Sequence, residues 1–320
     1  MSAVTGRSTL RLATRGSPLA LWQARRVAHL LGRSGTDTSL VVVETVGDRT
    51  PDVPLDRIGG QGIFTKEVQA AVVRGEADAA VHSAKDLPAS AALTVPGLVL
   101  AAIPERADPR DVLVGARLDS LPTGSTVATG SARRRAQLAN FRPDLTFAGL
   151  RGNLATRLDQ VGTRGVTAVV AAKAALERLG WTVPPGTEIE VLDPGLMVPQ
   201  VGQGALAVEC REDDAPTRRA LAAIDDVDVA PLVHAERSFL AELGGGCTLP
   251  VGAYARWADP GPDRGPISLC GLIASGDGLV VVRRELTGDD PVGLGRMVAA
   301  YLIEGAGGRG LGEWVPGEGP

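Results

Sequence analysis

From residue 10 to about residue 208 the chain alternates short apolar segments with amphipathic ones of helical spacing, and few folds accommodate that rhythm. Residues 10–13 read as a strand and 18–31 as a helix with apolar residues at 3–4 spacing. The β-branched run 39–46 reads as a strand buried on both faces. A helix over 65–74 and a strand over 77–82 follow. A second series repeats the pattern: strand 125–128, helix 132–140, strand 145–148, helix 153–161, strand 168–171, helix 174–179. Strands alternating with helices imply right-handed βαβ crossovers and largely parallel sheets.

Two such series predict two α/β domains of similar size, and 320 residues leave room for a third. The polar stretch 103–110, with Pro104 and Pro109, is the expected link between them. Beyond Asp225 the character changes. Residues 231–243 read as a helix and 252–257 as a strand, and 268–274 and 279–286 flank Ser275-Gly-Asp-Gly278, a hairpin signal. A last helix is expected over 291–303, followed by a Gly-rich tail expected to be flexible. The third part is therefore a small α+β domain with an antiparallel sheet.

Composition narrows the function. A net charge of −4 and only 3% aromatic residues argue against a dedicated nucleic-acid binder, which needs a basic face. Three cysteines, Cys210, Cys247 and Cys270, lack the paired spacing of a disulfide framework or zinc site, so no metal is expected. No apolar run approaches the roughly 20 residues of a membrane helix. Residues 1–10 carry no apolar signal core, so a cytoplasmic enzyme is the expectation.

Ligands of open α/β sheets gather at the carboxyl ends of strands, and five segments place chemistry there or on a loop. Leu12-Ala-Thr-Arg-Gly-Ser17 offers Arg15 and Ser17, or else is a solvated turn with a capping serine. Thr129-Gly-Ser-Ala-Arg-Arg-Arg135 puts arginines in the first turn of a helix, against its dipole, at a few tenths of a kcal/mol each; an anion between them would offset that. Leu150-Arg-Gly-Asn-Leu-Ala-Thr-Arg157 repeats the topology. Residues 129–157 carry six arginines against Asp144, a local charge of +5 that leaves −9 elsewhere; a scattered solvated face is the alternative, to which Arg135 and Arg142 belong. Arginine suits bidentate grips on carboxylate or phosphate. Val81-His-Ser-Ala-Lys-Asp-Leu-Pro88 gathers His82, Ser83, Lys85 and Asp86 at one strand end, with Asp86 the single carboxylate among the basic clusters; a turn salt-bridged by Lys85 is the plainer reading. Gly244-Gly-Gly-Cys-Thr-Leu-Pro250 exposes Cys247 on a glycine loop, where a thiolate could form a covalent attachment, although a buried inert cysteine is the commoner case.

In this order the segments resemble the porphobilinogen deaminase family, together with Glu105-Arg-Ala-Asp-Pro-Arg-Asp111 and Val201-Gly-Gln-Gly-Ala205. The resemblance runs from about residue 10 to residue 255 and implies two periplasmic-binding-protein-like βαβ domains plus the small C-terminal one. The implied boundaries are 1–102 plus 200–221, then 106–198, then 225–320. The implied reaction joins four porphobilinogen molecules head to tail with loss of ammonia, then releases hydroxymethylbilane with water, in tetrapyrrole biosynthesis. It implies a dipyrromethane cofactor held through a thioether to Cys247, and Asp86 as the catalytic residue. Arg15, Arg133, Arg134, Arg151 and Arg157 match carboxylate-binding arginines, and Ser17, Ser83, Lys85, Thr129 and Ser131 match supporting donors. The implied protein is a monomer that takes a small-molecule substrate and neither nucleic acid nor membrane. Three residues depart from the family pattern: Gln61 where lysine is frequent, Gly130 where serine is common, and Lys173 where a small apolar residue is usual. Beyond Trp257 the resemblance is loose. A non-catalytic two-lobed binder of a small anion is the competing function, since the architecture serves both.

Overall fold

The computed structural model describes residues 9–45, 65–150, 152–244, 250–259, 261 and 264–311. They fall into two compact units, the first made of Met1–Leu87, Thr94–Arg106 and Ala205–Ala230, the second of Pro88–Leu93, Ala107–Gly204 and Pro231–Pro320.

The first unit is built on strands β1 (Leu10–Arg15), β2 (Thr38–Val43), β3 (Ala79–Ser83), β4 (Leu98–Ala102) and β10 (Leu206–Arg211), ordered β2-β1-β3-β10-β4. Strand alternation fills both faces. Leu10 and Leu12 of β1, with Val81, Leu206 and Val208, meet Ala24, Val27 and Leu31 of helix α1 (Pro18–Arg33) on one side. Ala13 and Ala80 meet Val68, Ala71 and Val72 of α2 (Lys66–Val73) on the other. Each large aliphatic side chain buried this way contributes about 1.5–3 kcal/mol. Ser17 starts α1 by accepting the Ala20 N–H at 3.3 Å, and Pro18 occupies the first turn, where its missing N–H costs nothing.

The second unit contains a sheet of the same design. Strands β5 (Asp111–Val114), β6 (Thr126–Ala128), β7 (Thr146–Ala148), β8 (Val166–Ala172) and β9 (Ile189–Val191) are ordered β7-β6-β8-β5-β9. Helices α3 (Ala132–Phe141), α4 (Leu154–Leu158) and α5 (Lys173–Arg178) follow β6, β7 and β8 in turn, and apolar clusters fill both faces. Past α6 (Ala215–Ala222) of the first unit and α7 (Ala230–Glu242), the antiparallel strands β11 (Val251–Trp257), β12 (Ile267–Ala274) and β13 (Val281–Gly288) form a third sheet. Phe239 of α7 and Leu294 and Val298 of α8 (Pro291–Ala300) cover one face of it. The expected hairpin joins β12 to β13. Its Gly278 sits at φ 78° so tightly that an added Cβ would lie 2.5 Å from the Ala136 carbonyl oxygen of α3.

The chain is thus α/β, with two similar βαβ sheets and a small antiparallel one, but several details differ from the sequence reading. The two larger sheets are mixed, because β10 runs antiparallel to β3 and β4, and β5 antiparallel to β8 and β9. Neither strand is reached by a helical crossover within its own sheet, so nothing forces it parallel. β2 is not buried on both faces: it is an edge strand among the described residues, with Val42 57% exposed, and its β-branched run reflects strand preference rather than burial. The helix expected over 153–161 is only the five-residue α4, and β4, β5 and β9 have no counterpart in the sequence reading. Of the Gly-rich tail, residues 312–320 lie outside the described residues.

Candidate functional site

In the first unit β1 and β3 are parallel neighbours, so their carboxyl ends share one edge of the sheet. β1 ends on Arg15, and Ser17 caps the helix that follows. β3 ends on Ser83 and runs into a single 3-10 turn, Ala84–Asp86, which carries Lys85. The fold therefore brings Arg15, Ser17, Ser83, Lys85 and Asp86 to one sheet edge. Asp86 is half-buried, and its carboxylate has no hydrogen-bond or ion-pair partner among the described residues. A carboxylate left uncommitted beside basic residues is free to meet a ligand. Gln23 of α1, which the sequence reading missed, is buried and donates its amide N–H to the Ser83 Oγ at 2.6 Å. A hydroxyl that accepts on one side keeps its own hydrogen to donate on another. His82 does not join the group: it is buried, with Nε2 3.2 Å from Glu209 of β10, which also accepts from Gln69 at 2.8 Å.

In the second unit the carboxyl end of β6 leads through buried Thr129, whose Oγ1 accepts the Ser131 N–H at 3.2 Å. Ser131 caps α3 by accepting the Arg134 N–H at 3.4 Å. Arg133 and Arg134 then turn inward, 3% and 9% exposed. The anion that offsets their unfavourable position at a helix start is supplied by the protein itself: Asp111 at the start of β5, 0% exposed. Its carboxylate lies 2.8 Å from Arg133 and 2.7 Å from Arg134. Burial pushes the Asp111 carboxyl up, but the two guanidiniums outweigh it and hold the group well below the usual carboxylate range. Burial also pushes the Arg133 guanidinium down, opposed by Asp111. Asp86 is therefore not the single carboxylate among the basic clusters. Arg133 also donates to the Val198 carbonyl at 2.6 Å and Arg134 to that of Val170 at 3.0 Å, whereas Arg133 Nε is buried with no hydrogen-bond partner.

Arg157, on α4, donates through Nε to the Gly152 carbonyl at 2.8 Å. Arg135 is exposed at 3.4 Å from the Gly276 carbonyl, while Arg142 is paired with Asp144 and two backbone carbonyls rather than solvated. Lys173 forms ion pairs with Asp108 at 2.9 Å and Glu177 at 2.6 Å, so its charge is matched locally. A Cβ at Gly130 would sit 3.1 Å from the Leu150 carbonyl, which leaves serine little room here without a small shift. Arg151, Cys247 and Gln61 lie outside the described residues.

Cys210 and Cys270 are free thiols set in strands; burial pushes the first up to about 11 and raises the second as well. A cavity of ≈ 700 Å³ in the second unit is lined by Arg110, Asp193, Tyr254, Arg256, Cys270 and Glu285, among others, and by none of the expected site residues. Its two arginines are already paired, with Asp108 and Glu285. Among the described residues no cluster of His, Cys, Asp and Glu is suited to a metal ion, and no helix is long and apolar enough to cross a membrane.

Comparison with known proteins covers most of the chain. Residues 10–219 match the family model "Porphobilinogen deaminase, dipyromethane cofactor binding domain", and residues 230–304 match "Porphobilinogen deaminase, C-terminal domain". The second match extends past Trp257, where the motif resemblance was loose. A porphobilinogen deaminase of Acidothermus cellulolyticus is 44% identical over 95% of this chain and 91% of its own length. One of Syntrophus aciditrophicus is 42% identical over 93% and 96%. Among solved structures, the methionine-binding protein MetQ covers 75% of this chain and 97% of its own at 16% identity and a TM-score of 0.43, too remote to bear on activity.

Proposed function

The chain belongs to the porphobilinogen deaminase family, transferases of tetrapyrrole biosynthesis, and on that premise we propose which of its residues perform the reaction. Asp86 is the catalytic residue. As the aminomethyl carbon–nitrogen bond of porphobilinogen breaks and ammonia leaves, positive charge develops on the pyrrole ring. An ionised carboxylate against the pyrrole N–H stabilises that cation, while the aminomethyl group, an ammonium at neutral pH, leaves as ammonia and needs no proton from Asp86. The observation that carries this reading is the uncommitted Asp86 carboxylate at the sheet edge, beside Arg15, Ser17, Ser83 and Lys85. Four porphobilinogen molecules are joined before water releases hydroxymethylbilane.

Each pyrrole ring bears an acetate and a propionate, so the bound chain gains negative charge at every addition. Arg15, Arg133, Arg134, Arg151 and Arg157 bind these carboxylates, and Ser17, Ser83, Lys85, Thr129 and Ser131 supply further donors. The dipyrromethane that the family model names fits the donors present: they are anion-binding groups, and Arg133 Nε is a buried donor still lacking an acceptor. When bound, dipyrromethane supplies the tethered pyrrole to which the first substrate is joined. Its attachment point is Cys247, a proposal supported by elimination, since Cys210 and Cys270 sit in strands with thiols held protonated by burial. The protein works as a cytoplasmic monomer without nucleic acid, in three domains bounded at 1–102 plus 200–221, 106–198 and 225–320.

The test is turnover of porphobilinogen by D86N. The account expects a loss of at least about 100-fold in kcat with unchanged fold and unchanged cofactor mass. Near-normal turnover would remove Asp86 from the mechanism.

A further inference from the structure

The roles above leave the buried charge of Asp111 without a task. Asp111 is fully buried at the start of β5, and both of its oxygens are engaged. Its Oδ1 accepts Arg134 Nε at 3.1 Å and a terminal nitrogen of the same guanidinium at 2.7 Å, and also Gln203 Nε2 at 2.8 Å. Its Oδ2 faces Arg133 at 2.8 Å. Each guanidinium is anchored a second time on a backbone carbonyl, Val198 for Arg133 and Val170 for Arg134. The two arginines are thereby fixed in one arrangement from both sides.

The charges in this cluster do not balance. Two guanidiniums face one carboxylate, so a net positive charge remains where exposure is only 3% and 9%, together with the unmatched Nε of Arg133. A buried ion cluster assembled for stability alone is best served by matched charge and satisfied donors. This one is short by one anion.

We propose that Asp111 is a positioning residue: it holds Arg133 and Arg134 ready for ligand carboxylates and compensates one of their two charges until those carboxylates arrive. This rests on the reading that the two arginines receive carboxylates of the pyrrole chain. The arriving anions complete a cluster that Asp111 half completes. They find the guanidiniums already desolvated and oriented, so little reorganisation remains to be done. Asp111 touches no ligand in this scheme; it acts through the arginines.

The experiment compares thermal unfolding of the full-length chain in cofactor-free and cofactor-loaded forms, for the wild type and for D111N. Asparagine keeps the shape and an acceptor oxygen, so what the substitution removes is the charge. Ligand carboxylates should make good part of that loss, so the drop in Tm is expected to be about twice as large in the cofactor-free chain as in the loaded one. A D111N chain that folds only when loaded is the extreme form of the same result. An equal or larger drop in the loaded chain overturns the proposal, because a purely structural ion pair costs the same in both forms; a folded D111N chain that can no longer be loaded supports it, since the arginines are then no longer held for the ligand. If D111N folds in neither form, D111E carries the comparison: it keeps both arginines and displaces the carboxylate by one methylene, so a drop about twice as large in the cofactor-free chain is again expected, and an equal or larger drop in the loaded chain again overturns the proposal. R134Q tests the underlying reading separately. It should narrow the Tm gap between loaded and cofactor-free chains or prevent loading, and an unchanged gap would refute the ligand role of Arg134 whatever D111N does.

Discussion

Burial alone would raise the carboxyls of Asp111 and Asp108, yet neighbouring cations hold both well below the usual range: Arg133 and Arg134 for the first, Arg110 and Lys173 for the second. A carboxyl whose folded pKa is depressed stabilises the fold above its unfolded pKa of about 3.9, and that contribution is lost as pH falls toward the folded value. Tm should therefore be flat near neutrality and decline as pH drops through about 4 and below, with a shallower acid limb in D111N. Unfolding followed by circular dichroism across that range checks this, and identical acid limbs would contradict the pairing. Part of this was legible in the sequence and part was not. The arginine excess of residues 129–157 and its place after strands could be read directly. Its internal partner could not, because Asp111 lies 23 residues before Arg134 and nothing local marks the pair. Gln23 was hidden for the same reason: its hydrogen bond to Ser83 spans 60 residues.

Helices were the most legible elements, since a 3.6-residue apolar stripe is a local property, and α1, α3, α7 and α8 lie close to where the periodicity places them. Strand direction is not local, and the antiparallel β5 and β10 were invisible for that reason. Short strands such as β9, three residues long, carry too few alternations to stand out. One helix contact gives a sharp prediction. An added Cβ on Gly295 of α8 would lie 2.5 Å from the Ala235 carbonyl oxygen and 2.6 Å from the Phe239 nitrogen, both backbone atoms of α7. Helix propensity alone would favour alanine by about 1 kcal/mol. Overpacking against a rigid backbone costs about 1–3 kcal/mol and outweighs it. G295A is expected to lower Tm, and an unchanged or raised Tm would mean that α7 and α8 do not approach so closely.

Across the whole molecule, each larger sheet repeats one plan: a parallel three-stranded βαβ core flanked by a strand of opposite direction and a final edge strand. The third sheet supplies the helices and hairpin that precede and follow the Cys247 segment without contributing to either larger sheet. Family membership runs through all three, from residue 10 to residue 304 with a short gap, which makes the chain an enzyme rather than the small-anion binder that the architecture would also permit. The central claim is that a pyrrole chain lengthens while tethered to Cys247 and held by arginines. Intact-mass analysis of the full-length protein after limiting porphobilinogen, with peptide mapping, tests it most directly. The account predicts a dipyrromethane adduct on the Cys247 peptide, none on those of Cys210 or Cys270, and a ladder of added pyrrole units up to four. An unmodified Cys247 in protein that turns over porphobilinogen would contradict it.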